Sequence, residues 1–431
     1  MKKRVALLLV AAMCIGMTAC SGNSSSPSNN SSASKEETKA PEEDTSETTT
    51  DAPEEDTSET TTDGEPIKIG IIYEASGSLE DWGTQEINGL KLGFEYATNG
   101  TMQINGRPIE LIIEDSASDA STATEKAIKL CETDGVDILC GSTSTAVAQS
   151  VEAVALQYKT PYFVGCAAGD AICGANYNDY TFMTGRNLSQ VARALAGSLS
   201  DLGDNFALMF ADYAGGHQFA DAYKEAMQEL NLNIVYEEYP PMDCPDFTSY
   251  LMAVKGTNPD ALLIACTGNS FETILPSQFN ELGMSTLFPL VADVSDTESL
   301  RALGMPSVGM RGCCMYYYSN YDTPENKWLV EHHQAEYGSL PELWTGNSFT
   351  CAIAICTVLE NADSIDADTI IHTAEGMTFR GVRGDYQIRP EDHITLQELP
   401  VIELADTGLD YPEPIVIKMF TADEVAPPIR N

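Results

Sequence analysis

Cys140-Gly141-Ser142-Thr143-Ser144-Thr145 closes an apolar run and opens a helical pattern with hydroxyls at its start. A helix start carries N–H groups with no carbonyl behind them and the positive end of the peptide dipole. Such a site suits a carboxylate or another acceptor oxygen, and Ser144 or Thr145 would add a hydroxyl donor. Plain capping of the helix accounts for the same residues. Farther on, Val291-Ala292-Asp293 puts a carboxylate at the end of an apolar run. Burying that charge bare is costly, so it needs a partner, and a ligand ammonium is one candidate. Val164-Gly165-Cys166-Ala167-Ala168-Gly169 ends another run in small residues that let a ligand approach backbone carbonyls. Ser76, Gly77 and Trp82 follow the first run in a turn-rich loop. They line a cleft in one reading and form a surface loop with one packed Trp in the other.

Motifs for covalent or phosphate chemistry are missing. There is no GxGxxG after the first apolar run, no GxxxxGK[ST], no GxSxG and no HExxH. His332-His333 falls on a helical pattern and reads as solvated rather than as a metal pair, and no Cys/His spacing suggests zinc. The expectation is a binding protein with no cofactor and no metal.

Charge narrows the partners. The 431 residues carry 23 Lys and Arg against 65 Asp and Glu, a net charge of −42. Residues 1–34 hold +3, residues 35–65 hold −11, and residues 66–431 hold −34. That field disfavours nucleic acid and anionic membrane surfaces, which need basic patches. Among small ligands it penalises strong anions most and zwitterions, neutral amides and cations least.

The elements that must position these residues alternate in type. Apolar or β-branched runs at 67–73, 109–115, 136–140, 161–164, 205–210, 234–239, 261–266, 287–291 and 308–318 are separated by helical patterns. These patterns cover 121–133, 144–158, 188–202, 217–230, 247–255, 271–282, 324–337 and 347–361. Alternation of this kind predicts α/β architecture with doubly wound parallel sheets, and the number of strands predicts two lobes. Of the twelve Cys, most lie dispersed in hydrophobic segments and read as small core residues. Cys166 and Cys173 bracket one loop, where a disulfide and two separate thiols are both open. Adjacent Cys313 and Cys314 read as strand residues.

The N-terminus is an export signal over residues 1–19. Lys2, Lys3 and Arg4 precede an apolar stretch of 13 residues, too short to span a bilayer. Met17-Thr18-Ala19-Cys20 resembles the bacterial lipoprotein box, with Met in place of the usual Leu, Val or Ile. That resemblance makes Cys20 the lipidated residue. Residues 20–65, rich in Ser, Thr and Glu and containing a duplicated PEEDTSETTTD, are predicted to be a disordered tether. A coil of that length reaches about 35–40 Å.

Five stretches, in order, give residues 66–431 a resemblance to the leucine/isoleucine/valine-type solute-binding proteins of ABC transporters, the type I periplasmic-binding fold. They are IKIGIIYEASGSLEDWG, GSTSTAVAQSVEAVA, FALMFADYAGGHQFADAYKEAMQELN, Asp246-Phe247 and FRGVRGDYQIRPEDH. The resemblance implies two Rossmann-like lobes joined by a three-crossing hinge, with lobe 1 at 66–185 and 318–383 and lobe 2 at 188–314 and 386–431. It places Trp82 as a cover over the ligand and Thr145 on the ligand carboxylate. It sets Ala167 and Ala168 in a backbone-contacting loop, Tyr213 in the first loop of lobe 2, and Asp293 on the ammonium, with Asp296 as competitor. Where relatives often carry aromatics, this chain has Gly215-Gly216 and Thr267-Gly268-Asn269, so Thr267 and Asn269 belong to a smaller, more polar wall. The resemblance thus implies an extracytoplasmic lipoprotein, monomeric, that captures a branched-chain or more polar amino acid or a small amide for an ABC permease. A ligand-sensing module of the same fold signalling to a membrane receptor is the alternative.

Overall fold

The computed structural model describes residues 64–265, 270–294 and 296–429; residues 1–63 with Cys20, and Cys266, Thr267 and Asn269, lie outside them. Strand β1 (Ile67–Tyr73) is buried along almost its whole length, as its unbroken apolar sequence requires for a central parallel strand. It pairs in parallel with β3 (Arg107–Asp115) on one side and β4 (Ile138–Cys140) on the other. The short β2 (Gln103–Ile104), β5 (Tyr162–Val164) and β6 (Thr181–Met183) complete a six-stranded sheet in the order β2-β3-β1-β4-β5-β6. Helices α1 (Glu80–Ala97), α2 (Ala120–Lys129) and α3 (Thr145–Tyr158) follow β1, β3 and β4.

After β6 the chain crosses through Gly185-Arg186-Asn187 into α4 (Leu188–Leu199), which packs on a second sheet. That sheet has parallel β7 (Asn205–Met209), β8 (Asn233–Glu238), β9 (Ala261–Ala265), β10 (Leu290–Val294) and β11 (Arg311–Cys314). Helices α5 (Ala214–Glu229), α6 (Thr248–Thr257), α7 (Leu275–Glu281) and α8 (Thr297–Leu303) connect its strands. The chain then returns to the first sheet's side as α9 (Pro324–Tyr337), α10 (Leu343–Asn361) and α11 (Ala367–Ala374), followed by an antiparallel sheet of β12 (Thr378–Gly381), β13 (Gly384–Ile388) and β14 (Thr395–Gln397). Antiparallel β15 (Leu399–Ala405) and β16 (Glu413–Phe420) close the edge of the second sheet, before the short α12 (Ala422–Val425).

Helix α10 is buried over most of its length against α1. Gly89 and Gly93 permit this approach, because a Cβ there would meet the Thr345 and Phe349 carbonyl oxygens at 2.3 and 2.6 Å.

Several local expectations change. The run at 308–318 forms only the four-residue β11, since Gly309 turns in the left-handed region and Tyr316 already lies beyond the strand. Helix α8 has seven residues, too few to leave a periodic signal in the sequence. His333 is buried rather than solvated, its Nδ1 2.7 Å from the Ser339 carbonyl oxygen, and His332 stacks on Trp328 at 3.7 Å. Cys166 and Cys173 are free thiols, as are the buried Cys313 and Cys314. Among the described residues no group of His, Cys, Asp or Glu is arranged to hold a metal, and no helix is long and apolar enough to cross a membrane.

Candidate functional site

Loops at the carboxyl ends of both parallel sheets face a cleft of about 650 Å³. Ligand sites of open α/β sheets fall at these strand ends. The α3 N-terminus makes one part of its first wall. Ser144 caps this helix by accepting from the Val147 N–H, and Thr145 and Ala146, whose N–H groups open the first turn, line the cleft. Beneath it lies a fully buried carboxylate, Glu74, at the end of β1. Ser142 Oγ donates to Glu74 Oε1, and the Thr143 N–H and hydroxyl donate to Oε2 at 3.0 and 2.8 Å. Ser142 Oγ in turn accepts from the Ser144 N–H at 3.1 Å. The cap loop is therefore held from below by charge-assisted bonds. Burial, with the Glu74 charge second, drives the neighbouring Glu86 carboxyl well above the usual range.

Aromatic side chains form the rest of this wall. Trp82, 36% exposed, meets Trp344 with ring centres 5.0 Å apart, and the Arg186 guanidinium carbon lies 5.0 Å from the Trp344 ring centre. Arg186 itself is only 8% exposed. Burial pulls its pKa down, and the Asp293 carboxylate pushes it back up. Cys166 and Ala168 also line the cleft, and the Ala168 carbonyl accepts from Leu188 N–H at 3.1 Å.

The opposite wall is acidic. Glu272, Asp293, Asp296 and Glu298 line it together with Tyr213. Asp296 caps α8, its Oδ1 accepting from Ser299 N–H at 2.8 Å, while Asp293 projects from β10 and is 7% exposed. A Cβ on Gly215 would lie 2.6 Å from the Tyr213 ring, so the missing side chain there is space that Tyr213 occupies.

The structure thus brings Trp82, Ser144, Thr145, Ala168, Tyr213, Asp293 and Asp296 to one cleft. Two expected residues lie elsewhere. Ser76 donates to Asp115 Oδ2 at 2.7 Å and braces its own loop against the one after β3. Ala167 turns its N–H to the Ser142 carbonyl at 2.9 Å and packs in the apolar core. Thr267 and Asn269 lie outside the described residues. Sequence reasoning missed Arg186 and Trp344. Arg186 follows a three-residue strand too short to read, and Trp344 precedes the pattern taken as the start of its helix. The scarcity of cations, 23 in a chain of net charge −42, was the signal available for Arg186.

Residues 66–408 match the family profile described as periplasmic binding protein. A Leu/Ile/Val-binding protein homolog 8 from Brucella abortus (strain 2308) is 24% identical over 329 residues, spanning 72% of this chain and 80% of its own length. A crystal structure of an ABC-type branched-chain amino acid transporter protein from Rhodopseudomonas palustris CGA009 is similar with a TM-score of 0.77 and 30% identity, covering 85% of this chain and 99% of that one. A solute-binding protein from Rhodopseudomonas palustris BisB5 in complex with 3,4-dihydroxybenzoic acid shares the fold at a TM-score of 0.71 and 24% identity, over 83% of this chain and 98% of that one. The chain belongs to the periplasmic binding protein family, the non-enzymatic solute-binding components that work with ABC permeases.

Proposed function

We propose that this chain captures an amino acid or small amide outside the cytoplasm and hands it to an ABC importer, held at the membrane by lipid on Cys20. One observation carries the ligand class. The first wall offers the α3 N–H groups with the Thr145 hydroxyl, and the facing wall offers Asp293 and Asp296. A carboxylate suits the former and an ammonium the latter, so a zwitterion matches both. Asp296 caps α8 through one oxygen, and Asp293, projecting from β10 at the cleft, is assigned to the ammonium. An acid lacking a cationic group, such as the dihydroxybenzoate of the BisB5 protein, would leave Asp293 and Asp296 without an ammonium partner. Residues 66–185 with 318–383 and 188–314 with 386–431 are the two lobes in this reading. They close on the ligand by hinge motion at the crossings, and the protein acts as a monomer.

Native mass spectrometry of the purified protein tests this directly. An amino acid or amide is expected in the retained complex, and a panel of such solutes should raise the melting temperature. Retention of an aromatic acid alone, with no amino acid shifting the melt, would overturn the assignment.

A further inference from the structure

Two buried donors in the cleft have no acceptor among the described residues. Arg186, more than nine-tenths buried, has an Nε–H without a hydrogen-bond partner among them, and the indole N–H of Trp344, which is 3% exposed, has none there either. Both residues line the cleft, and the guanidinium stacks over the Trp344 ring. Buried polar groups are as a rule paired; other unpaired atoms lie within the lobes, but these two are the unpaired donors whose residues line the ligand cleft, and they point to an oxygen that arrives with the ligand. Neither donor belongs to the α3 N-terminus.

We propose that Arg186 and Trp344 form a second acceptor-binding subsite, which selects amino acids whose side chain ends in a planar oxygen group, a carboxylate or an amide. The proposal rests on the amino-acid reading above and adds a third point of contact to it. The main-chain carboxylate sits at Thr145 and the α3 N–H groups, the ammonium at Asp293 or Asp296, and the side-chain oxygen between guanidinium and indole. Guanidinium presents its donors in a flat fork that matches a planar acceptor. Burial pulls the guanidinium pKa down, and the Asp293 charge opposes that pull. An aliphatic side chain would leave both donors unpaired in a closed cleft, and sites built to hydrogen-bond a substrate group reject analogues that lack it. Both acceptor types satisfy the donors. A carboxylate gains from the guanidinium charge, and an amide escapes repulsion from Glu272, Asp293 and Asp296.

Calorimetry on the full protein with glutamine, glutamate, asparagine, aspartate and leucine separates these arms. At least one of the first four should bind 100-fold or more tightly than leucine. Arg186→Gln should weaken that ligand 30-fold or more and shrink its margin over leucine. Trp344→Phe keeps the ring against Arg186 and Trp82 and removes only the N–H; it should cost three- to tenfold with the melting curve little changed. If Arg186→Gln does not fold, Trp344→Phe alone decides. Leucine binding as tightly as all four, or a preferred ligand indifferent to the variants, would overturn the subsite and leave the amino-acid reading standing. Binding of none of the five would likewise overturn the subsite, while the amino-acid or amide reading stands or falls on the solute retained in native mass spectrometry.

Discussion

The two walls of the cleft are built differently. The α3 side is set from beneath: Glu74 holds Ser142 and Thr143, Ser142 holds the Ser144 N–H, and Tyr162 donates to the Gly141 carbonyl at 2.6 Å. Every one of these groups is at or near full burial except Ser144 at the cleft face. Apart from Asp293 on the buried β10, the facing wall hangs from short pieces, a single wide turn at Ser270–Ile274 and the seven-residue α8. Its links are lighter, such as Ser299 Oγ to Glu272 at 3.3 Å. On the proposed reading, the first wall thus offers fixed donors for the part common to all amino acids. The second offers charge on small elements that can change without disturbing a core, which is where selectivity is most easily altered.

Breaking the rigid wall should have the largest effect. Glu74→Ala leaves three buried donors of Ser142 and Thr143 without their acceptor. At about 1–3 kcal/mol for each orphaned group, partly relieved by rearrangement, stability should fall by about 3–4 kcal/mol. Urea unfolding reads this, and a loss under about 1 kcal/mol would mean that the cap loop holds itself. Ligand affinity should fall with it, because the α3 N-terminus loses its support.

The acidic wall should respond in affinity. Asp293→Asn keeps the shape of a side chain in β10 and removes the charge facing the cleft. A charge-assisted hydrogen bond contributes about 1.5–3 kcal/mol, so an amino-acid ligand should bind about ten- to hundredfold more weakly by calorimetry. Unchanged affinity would move the ammonium to Asp296. Trp82 divides the two effects more evenly. Its contact with Trp344 contributes about 0.5–1.5 kcal/mol beyond area burial, so Trp82→Ala should lower stability by about 1 kcal/mol and also weaken the ligand about fivefold. If only stability moves, Trp82 packs on Trp344 without covering a ligand.

What could be read from the sequence follows the same division. Strand β1, the strand–helix alternation and the Ser144 cap are local patterns, and local pattern is what a sequence displays. Trp82, Thr145 and Asp293, singled out from the sequence, line one cleft. Ser76 does not line it, because Asp115, 39 residues away, takes its hydroxyl, a pairing that exists only once β1 and β3 lie side by side. Arg186 and Trp344 were hidden for a related reason. One follows a three-residue strand and the other opens a helix whose sequence reads as core, and they meet only after the chain has crossed between the sheets.

The body of α3 carries one further consequence of its packing. Glu152, two turns past the cleft, is 3% exposed and touches Asn178 Nδ2 at 3.2 Å. Burial raises its pKa to about 8, against which the bonds from Asn176 and Asn178 pull weakly. A carboxyl whose pKa is higher folded than unfolded favours the folded state in its protonated form. Its contribution is therefore complete below the ordinary value of 4.5 and is lost as pH rises through about 8. Thermal melts at pH 5, 7 and 8.5 should show the protein losing stability across this window relative to Glu152→Gln, which is neutral throughout and keeps an amide for the Asn pair. Because Glu152 sits behind the α3 N-terminus and not on the cleft, the variant should leave ligand affinity alone. A variant with the same pH profile as the unaltered protein would mean that Glu152 ionises without cost, and that the rigidity of this wall ends at the cap loop.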